Sequence, residues 1–288
     1  MSEMSGGIFG GMLQGYKSNM GLAKMDGGIR KGLLSSVGRH SKIQDPTLLT
    51  GSKTPVAFWL ADYTSSTSTS TAITSVYNFF GPSFTETGSA TFTERGVLNN
   101  KAYLSFVAAD RVYSLENYLD KNEVTLMMVV RMSSTSADRV IFARKWSIGN
   151  TAGDIRITAE SGQKIRVTFY GSGGTSTSVY ETFSRSIEGT QNNQWFLLTV
   201  KCRMYQPQGQ GSEMEIYANG NLEMNPVTTT FVAPNSNFPA SPLNFGNDSS
   251  AASGGSNLAA TLILDYWVNS SEQIRLENFF RHYYGFRF

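Results

Sequence analysis

Glu213 and Glu215 come nearest, in type and spacing, to an acid–base pair in this chain. They stand two apart in the alternating run SEMEIYA, so in a strand both side chains leave one face. Two carboxyls held about 5–5.5 Å apart, one with a raised pKa, can cleave a glycosidic bond with retention. The same alternation reads more simply as two exposed glutamates on a solvated sheet face, and the chain is expected not to be an enzyme. Other reactive types are scarce. The single cysteine, Cys202, lies in the strand-like run QWFLLTVKCRMY. It can form no intrachain disulfide and is read as a small buried hydrophobe. With one Cys and two far-separated histidines, His40 and His282, no Cys/His zinc cluster can be built. Asp154 and Asp248 sit at loop edges without the ligand spacing of a calcium loop. No metal and no cofactor are expected. The Gly-rich run GSGGTSTS (171–178) lacks the lysine of a phosphate loop and reads as a strand connection.

The elements that must carry these residues are strands. Candidates are 56–61, 73–80, 102–107, 124–132, 139–146, 154–160, 164–171, 194–204, 213–218, 242–247 and 260–268. Gly, Ser and Asn clusters separate them, and many short strands at this spacing predict a sandwich or barrel. In DIRITAESGQKIRVTFYG, Ile155, Ile157, Ile165, Val167 and Phe169 are the expected inward set. Asn219-Gly220 is a two-residue hairpin signal, because both central positions of a type I′ turn have φ > 0. Trp195, opening the strand WFLLTV, is expected to be buried. After the last strand, NSSEQIRLENFFRHYYGF predicts a helix capped by Ser270 or Ser271 and stopped by Gly285. Its apolar stripe would be Ile274, Leu276, Phe279, Phe280 and Tyr283.

The 288 residues are 40% hydrophobic and 12% aromatic, enough for a sizeable core. Net charge is +2 and only 16% of residues are charged. That balance offers no specific pull toward nucleic acid. No apolar run of about 20 residues predicts a membrane span. Glu3 stands where a secretory signal would be basic, so synthesis and folding in a reducing cytosol are expected.

Residues 1–50 differ from the rest. Ten of the first forty are Gly, and five of the eleven Met fall in the first twenty-five. Glycine costs roughly 1 kcal/mol per helical position relative to Ala, so this arm is a poor autonomous helix. Ile8, Phe9, Met12, Leu13, Met20, Leu22, Ile29, Leu33 and Leu34 would instead bury against a partner. Two domains follow: an assembly arm, 1–50, and a β domain, 51–288.

In order, PVAFWLADYTSS, NNKAYLSF, EVTLMMVVRMSS, RVIFARKWSIGN, NNQWFLLTVKCR, SEMEIYANGNL, PLNFGND and ATLILDYWVNSSEQIRLENFFRHYYGF resemble the laminin-G-like, concanavalin A-like jelly-roll family over roughly 55–286. The resemblance implies an all-β, two-sheet antiparallel jelly-roll sandwich with a short C-terminal helix, behind an extended Gly/Met-rich arm. Enzymes on this fold can carry an E-x-D-x-x-E signature. Here its third acid is replaced by Ala218 and its middle position is Glu215, which leaves a glycoside hydrolase as a remote alternative. A jelly-roll behind such an arm also resembles structural proteins of tailed-bacteriophage virions: head decorations, fibres and tail adaptors. That implies synthesis in a bacterial host cytoplasm, residence in the virion, a homo-oligomer, and capsid, portal or tail partners for residues 1–50. The alternative is a carbohydrate-binding module for host-surface glycan. Its rim would use Tyr63, Tyr77, Trp146, Tyr170 or Tyr180.

Overall fold

The structure, a computed structural model, describes residues 50, 53, 55–61, 65–66, 73–75, 78–80, 85–87, 91–93, 101–106, 111–114, 123–132, 139–144, 155–160, 164–169, 181–182, 195–203, 213–224, 243–246 and 256–285. The chain divides into two units, Met1–Ser52 and Lys53–Phe288. The described elements all lie in the second. The nine arm residues singled out above, Asp154 and Asp248 lie outside the described residues.

The strands are β1 (Ala57–Leu60), β2 (Ser65–Ser66), β3 (Ile73–Ser75), β4 (Asn78–Phe80), β5 (Thr85–Thr87), β6 (Thr91–Thr93), β7 (Tyr103–Ser105), β8 (Arg111–Ser114) and β9 (Glu123–Met132). They continue with β10 (Arg139–Arg144), β11 (Ile155–Glu160), β12 (Lys164–Phe169), β13 (Glu181–Thr182), β14 (Trp195–Arg203), β15 (Glu213–Ala218), β16 (Asn221–Met224), β17 (Leu243–Phe245) and β18 (Ser256–Leu264). One helix follows, α1 (Ser270–Tyr284).

Among the described residues, one sheet runs β16-β15-β14-β9-β18-β1-β4, with β7 also on β18 and β6 on β7. A second runs β13-β12-β11-β10-β17-β8-β5, and β2 and β3 form a separate ribbon. All pairings are antiparallel, as in the expected sandwich. The expected strand 73–80 is divided: β3 pairs with β2, and β4 joins the first sheet beside β1. The last strand lies four residues earlier than its apolar run suggests. Beyond Leu264 the backbone is bonded by side chains instead of a ladder. Thr125 Oγ1 donates to Tyr266 O and accepts from Val268 N–H, and Glu123 accepts from Trp267 N–H.

Inner faces alternate as strand geometry demands. Leu126, Met128 and Val130 of β9 meet Phe196, Leu198, Val200 and Cys202 of β14 in one cluster with Ile155, Ile157, Ile165 and Val167 of the other sheet. Phe169's side chain is outside the described set. Cys202 is 1% exposed, and burial pushes its thiol pKa up. A buried thiol of that kind is inert.

Part of the outer face of the first sheet is covered by α1. Phe58 meets Phe279 and Phe280 edge-on at 5.9 and 6.4 Å, and Tyr284 Oη donates to Ala259 O at 2.8 Å. The cap is Asn269 rather than either serine: its Oδ1 accepts from Glu272 N–H at 2.9 Å and from Ser271 Oγ at 2.7 Å. Asn269 holds the extended backbone (φ −74°, ψ 165°) of a cap, whereas both serines already lie within the helix, and Ser271 is left as a second donor to the Asn269 oxygen. Gly285, at φ 70°, ends the helix as expected. Leu276, Phe279, Phe280 and Tyr283 are buried, but Ile274 is 57% exposed. At about 100° per residue, Ile274 falls on the flank away from that stripe, and Gln273 and Glu277 are buried instead.

Candidate functional site

Strand register assembles one cross-strand row on the outer face, beyond the helix. Trp195 of β14 stands opposite Arg131 of β9, Arg131 opposite Asn257 of β18, and Asn257 opposite Ser105 of β7. Tyr103, two residues before Ser105, shares its face. The Tyr103 and Trp195 rings meet edge to face, centroids 5.1 Å apart at 65°. The Arg131 guanidinium lies 5.1 Å from the Tyr103 ring and 5.2 Å from the Trp195 ring, within the range of cation–π attraction.

The Asn257 amide lies between Arg131 and Ser105. With its oxygen toward the arginine, it accepts from Nη2 at 2.8 Å and Nε at 2.9 Å, and its NH2 donates to Ser105 Oγ at 2.6 Å. Arg131 Nη2 also reaches Tyr103 Oη at 3.5 Å. Among the described residues Arg131 has no carboxylate partner. Tyr103 and Asn257 are nearly buried, whereas Trp195, Arg131 and Ser105 remain half-buried. Trp195 is therefore less enclosed than its strand position predicts. It is an outer-face residue, while the neighbouring Phe196 is the fully buried one. Trp195 Nε1 is covered and makes no hydrogen bond among the described residues. The indole thus turns its polar edge inward.

The opposite end of the same face is self-neutralised. Lys201 Nζ, almost fully buried, pairs with Glu215 at 2.5 Å, and Tyr217 Oη donates to the same carboxylate at 2.8 Å. Arg203 pairs with Glu123 at 2.8 Å and Glu213 at 3.7 Å. Lys201 and Arg203 stand 4.8 and 4.7 Å from the Trp267 ring. Glu213 and Glu215 do share a face, but not the solvated one expected. Both are half-buried ion-pair partners, because β14 places cations directly opposite them. Among the described residues, no group of three metal-ligating side chains occurs.

The expected rim residues Tyr63, Tyr77, Trp146, Tyr170 and Tyr180 lie outside the described residues. The residues of the row were missed because their signal is register. Ser105, Arg131, Trp195 and Asn257 are far apart in sequence, and the one local clue is a cation ending the apolar run LMMVVR.

No family model matches the chain, and no curated protein matches it. Solved structures do. The receptor-binding domain of botulinum neurotoxin C/D mosaic serotype is similar at a TM-score of 0.55 and 10% identity, over 78% of this chain and 51% of that one. The type G receptor-binding domain matches at 0.53 and 12%, over 79% and 51%. The binding domain of neurotoxin DC, solved in complex with SialylT, matches at 0.50 and 15%, over 70% and 48%. The chain thus spans about half the length of these neighbours. At such identities the likeness shows the fold: an all-β, jelly-roll-like sandwich.

Proposed function

We propose that the β-sandwich is a carbohydrate-binding module that attaches the chain to a glycan-bearing surface and carries out no hydrolysis. The observation that carries this is the row Trp195–Arg131–Asn257–Ser105 with Tyr103. A pyranose has an apolar C–H face and a polar rim of hydroxyls. The half-open Trp195 ring can meet the first through its electron-rich face, and the Arg131 guanidinium and Ser105 hydroxyl can meet the second. Small-molecule sites are typically built this way, with apolar surface and a few placed polar groups. The fold shared with toxin receptor-binding domains is compatible with the reading. The pairing of Glu215 with Lys201 and Tyr217 favours a structural over a catalytic role for that carboxylate.

A glycan array probed with the full chain tests the proposal. Binding should be seen, and Trp195→Ala should abolish it while the far-UV spectrum is retained. Wild-type failure across the array, or full binding by the folded variant, would refute it.

A second reading, a bacteriophage virion structural protein anchored by residues 1–50, is carried by the composition of that arm. It is compatible with glycan binding by the sandwich. Loss of particle incorporation on deleting the arm would support it, and unchanged incorporation would end it.

A further inference from the structure

We infer that the platform selects acidic sugars, and that Arg131 receives the carboxylate of a carboxylated pyranose. The inference deepens the glycan-binding reading and rests on it. It starts from a charge imbalance. Arg131 is half-buried, always cationic, and has no carboxylate among the described residues. At the other end of the same face, Lys201 and Arg203 both have carboxylates. A partly desolvated cation without a counter-ion is a costly arrangement to keep unless something else supplies the charge.

The guanidinium is also held ready. The Asn257 amide oxygen occupies Nε and Nη2, and the Tyr103 and Trp195 rings contact the cation. These contacts restrict rotation about the end of the side chain, so little freedom is left to lose on binding. None of them engages Nη1. That nitrogen carries two N–H donors in the guanidinium plane, which a carboxylate oxygen can accept as a charge-assisted hydrogen bond. A planar carboxylate can lie in the plane of that donor edge, between the rings. The pyranose bearing it would lie toward Trp195, the more open of the two aromatics.

Isothermal titration of the full chain with matched ligands tests this. One pair is 3′-sialyllactose and its methyl ester; the other is trigalacturonic acid and its methyl ester. The two acids carry the carboxylate at different ring positions, so the pairs distinguish a sialic-acid from a uronic-acid source. At least one acid should bind about 10- to 100-fold more tightly than its neutral counterpart, the gain expected of one charged hydrogen bond. In Arg131→Gln the acid-to-neutral ratio should fall to about 1, and Arg131→Lys should recover part of it. The esterified ligand probes the same contact without altering the protein, so a variant that fails to fold leaves the test intact. Equal affinities within both pairs, or a ratio that survives in folded Arg131→Gln, would overturn the acidic preference and leave glycan binding standing. Absence of binding to these ligands and to every array glycan would overturn both.

Discussion

Gly220 lies against Glu277. A Cβ on Gly220 would fall 2.9 Å from Glu277 Oε2, and the glycine has φ +82°. The Asn-Gly turn is thus where the β15–β16 hairpin touches α1. Asn219, at φ 53°, completes the ladder beyond β15: its N–H donates to Leu197 O at 2.8 Å, and its Oδ1 accepts from Leu197 N–H at 2.9 Å. The hairpin is scaffold that seats the helix.

Gly220→Ala should therefore destabilise the fold by about 1–2 kcal/mol, the cost of a left-handed conformation for an L-residue. The Glu277 carboxylate could swing away only by loosening its bonds to Thr199 and Gln273. Chemical denaturation measures the difference. A loss under about 0.5 kcal/mol, below that strain range, would mean the turn relaxes freely.

Glu277→Gln should change the pH dependence of stability. Burial, first, pushes the Glu277 carboxyl above the ordinary carboxylate range; bonds from Gln273 and Thr199, and the Arg281 and Lys201 charges, pull the other way without cancelling it. A folded-state pKa above the unfolded one means that the native state holds the proton longer. Wild-type stability should then fall as pH rises from the unfolded carboxylate pKa through the raised folded one. Glutamine can keep both acceptor contacts and does not titrate. The variant should gain stability relative to wild type across that interval, as thermal melts at stepped pH would register. A pH-independent difference would contradict the raised pKa.

Glu215→Gln should cost about 3–5 kcal/mol, because it removes the carboxylate in direct contact with the buried Lys201 ammonium. Glu213→Gln, at 3.7 Å from a guanidinium that Glu123 already engages, should cost less than about 1 kcal/mol. Equal effects in urea titrations would contradict the assignment of Glu215 as the principal partner.

The fragment 50–288 should fold without the preceding arm. The main core cluster is drawn from residues between Val56 and Ile263, and the cut spares Thr50, which is buried. Its far-UV spectrum and melting temperature should match those of the β signal in the full chain. An unfolded fragment would make the arm part of the domain.

The sandwich itself was legible in the chain. Alternation, β-branched runs, the Asn-Gly turn and the Gly285 stop are local signals, since they depend on spacings of one to four residues. They place β9, β11, β12, β14 and β15 to within a residue or two. The errors occur where a distant partner takes over a local preference. Glu123 and Thr125 bond the backbone after Leu264 and end β18 early, and β1 draws β4 away from β3.

Only tertiary structure decided the site. Side-chain alternation determines which residues of one strand share a face, but not which residues of another strand stand beside them. Register does that, through hydrogen bonds between positions more than a hundred residues apart, such as Ser105 and Asn257. It gave Glu215 a buried lysine as partner, and it left Arg131 between two rings with an amide and, among the described residues, no carboxylate.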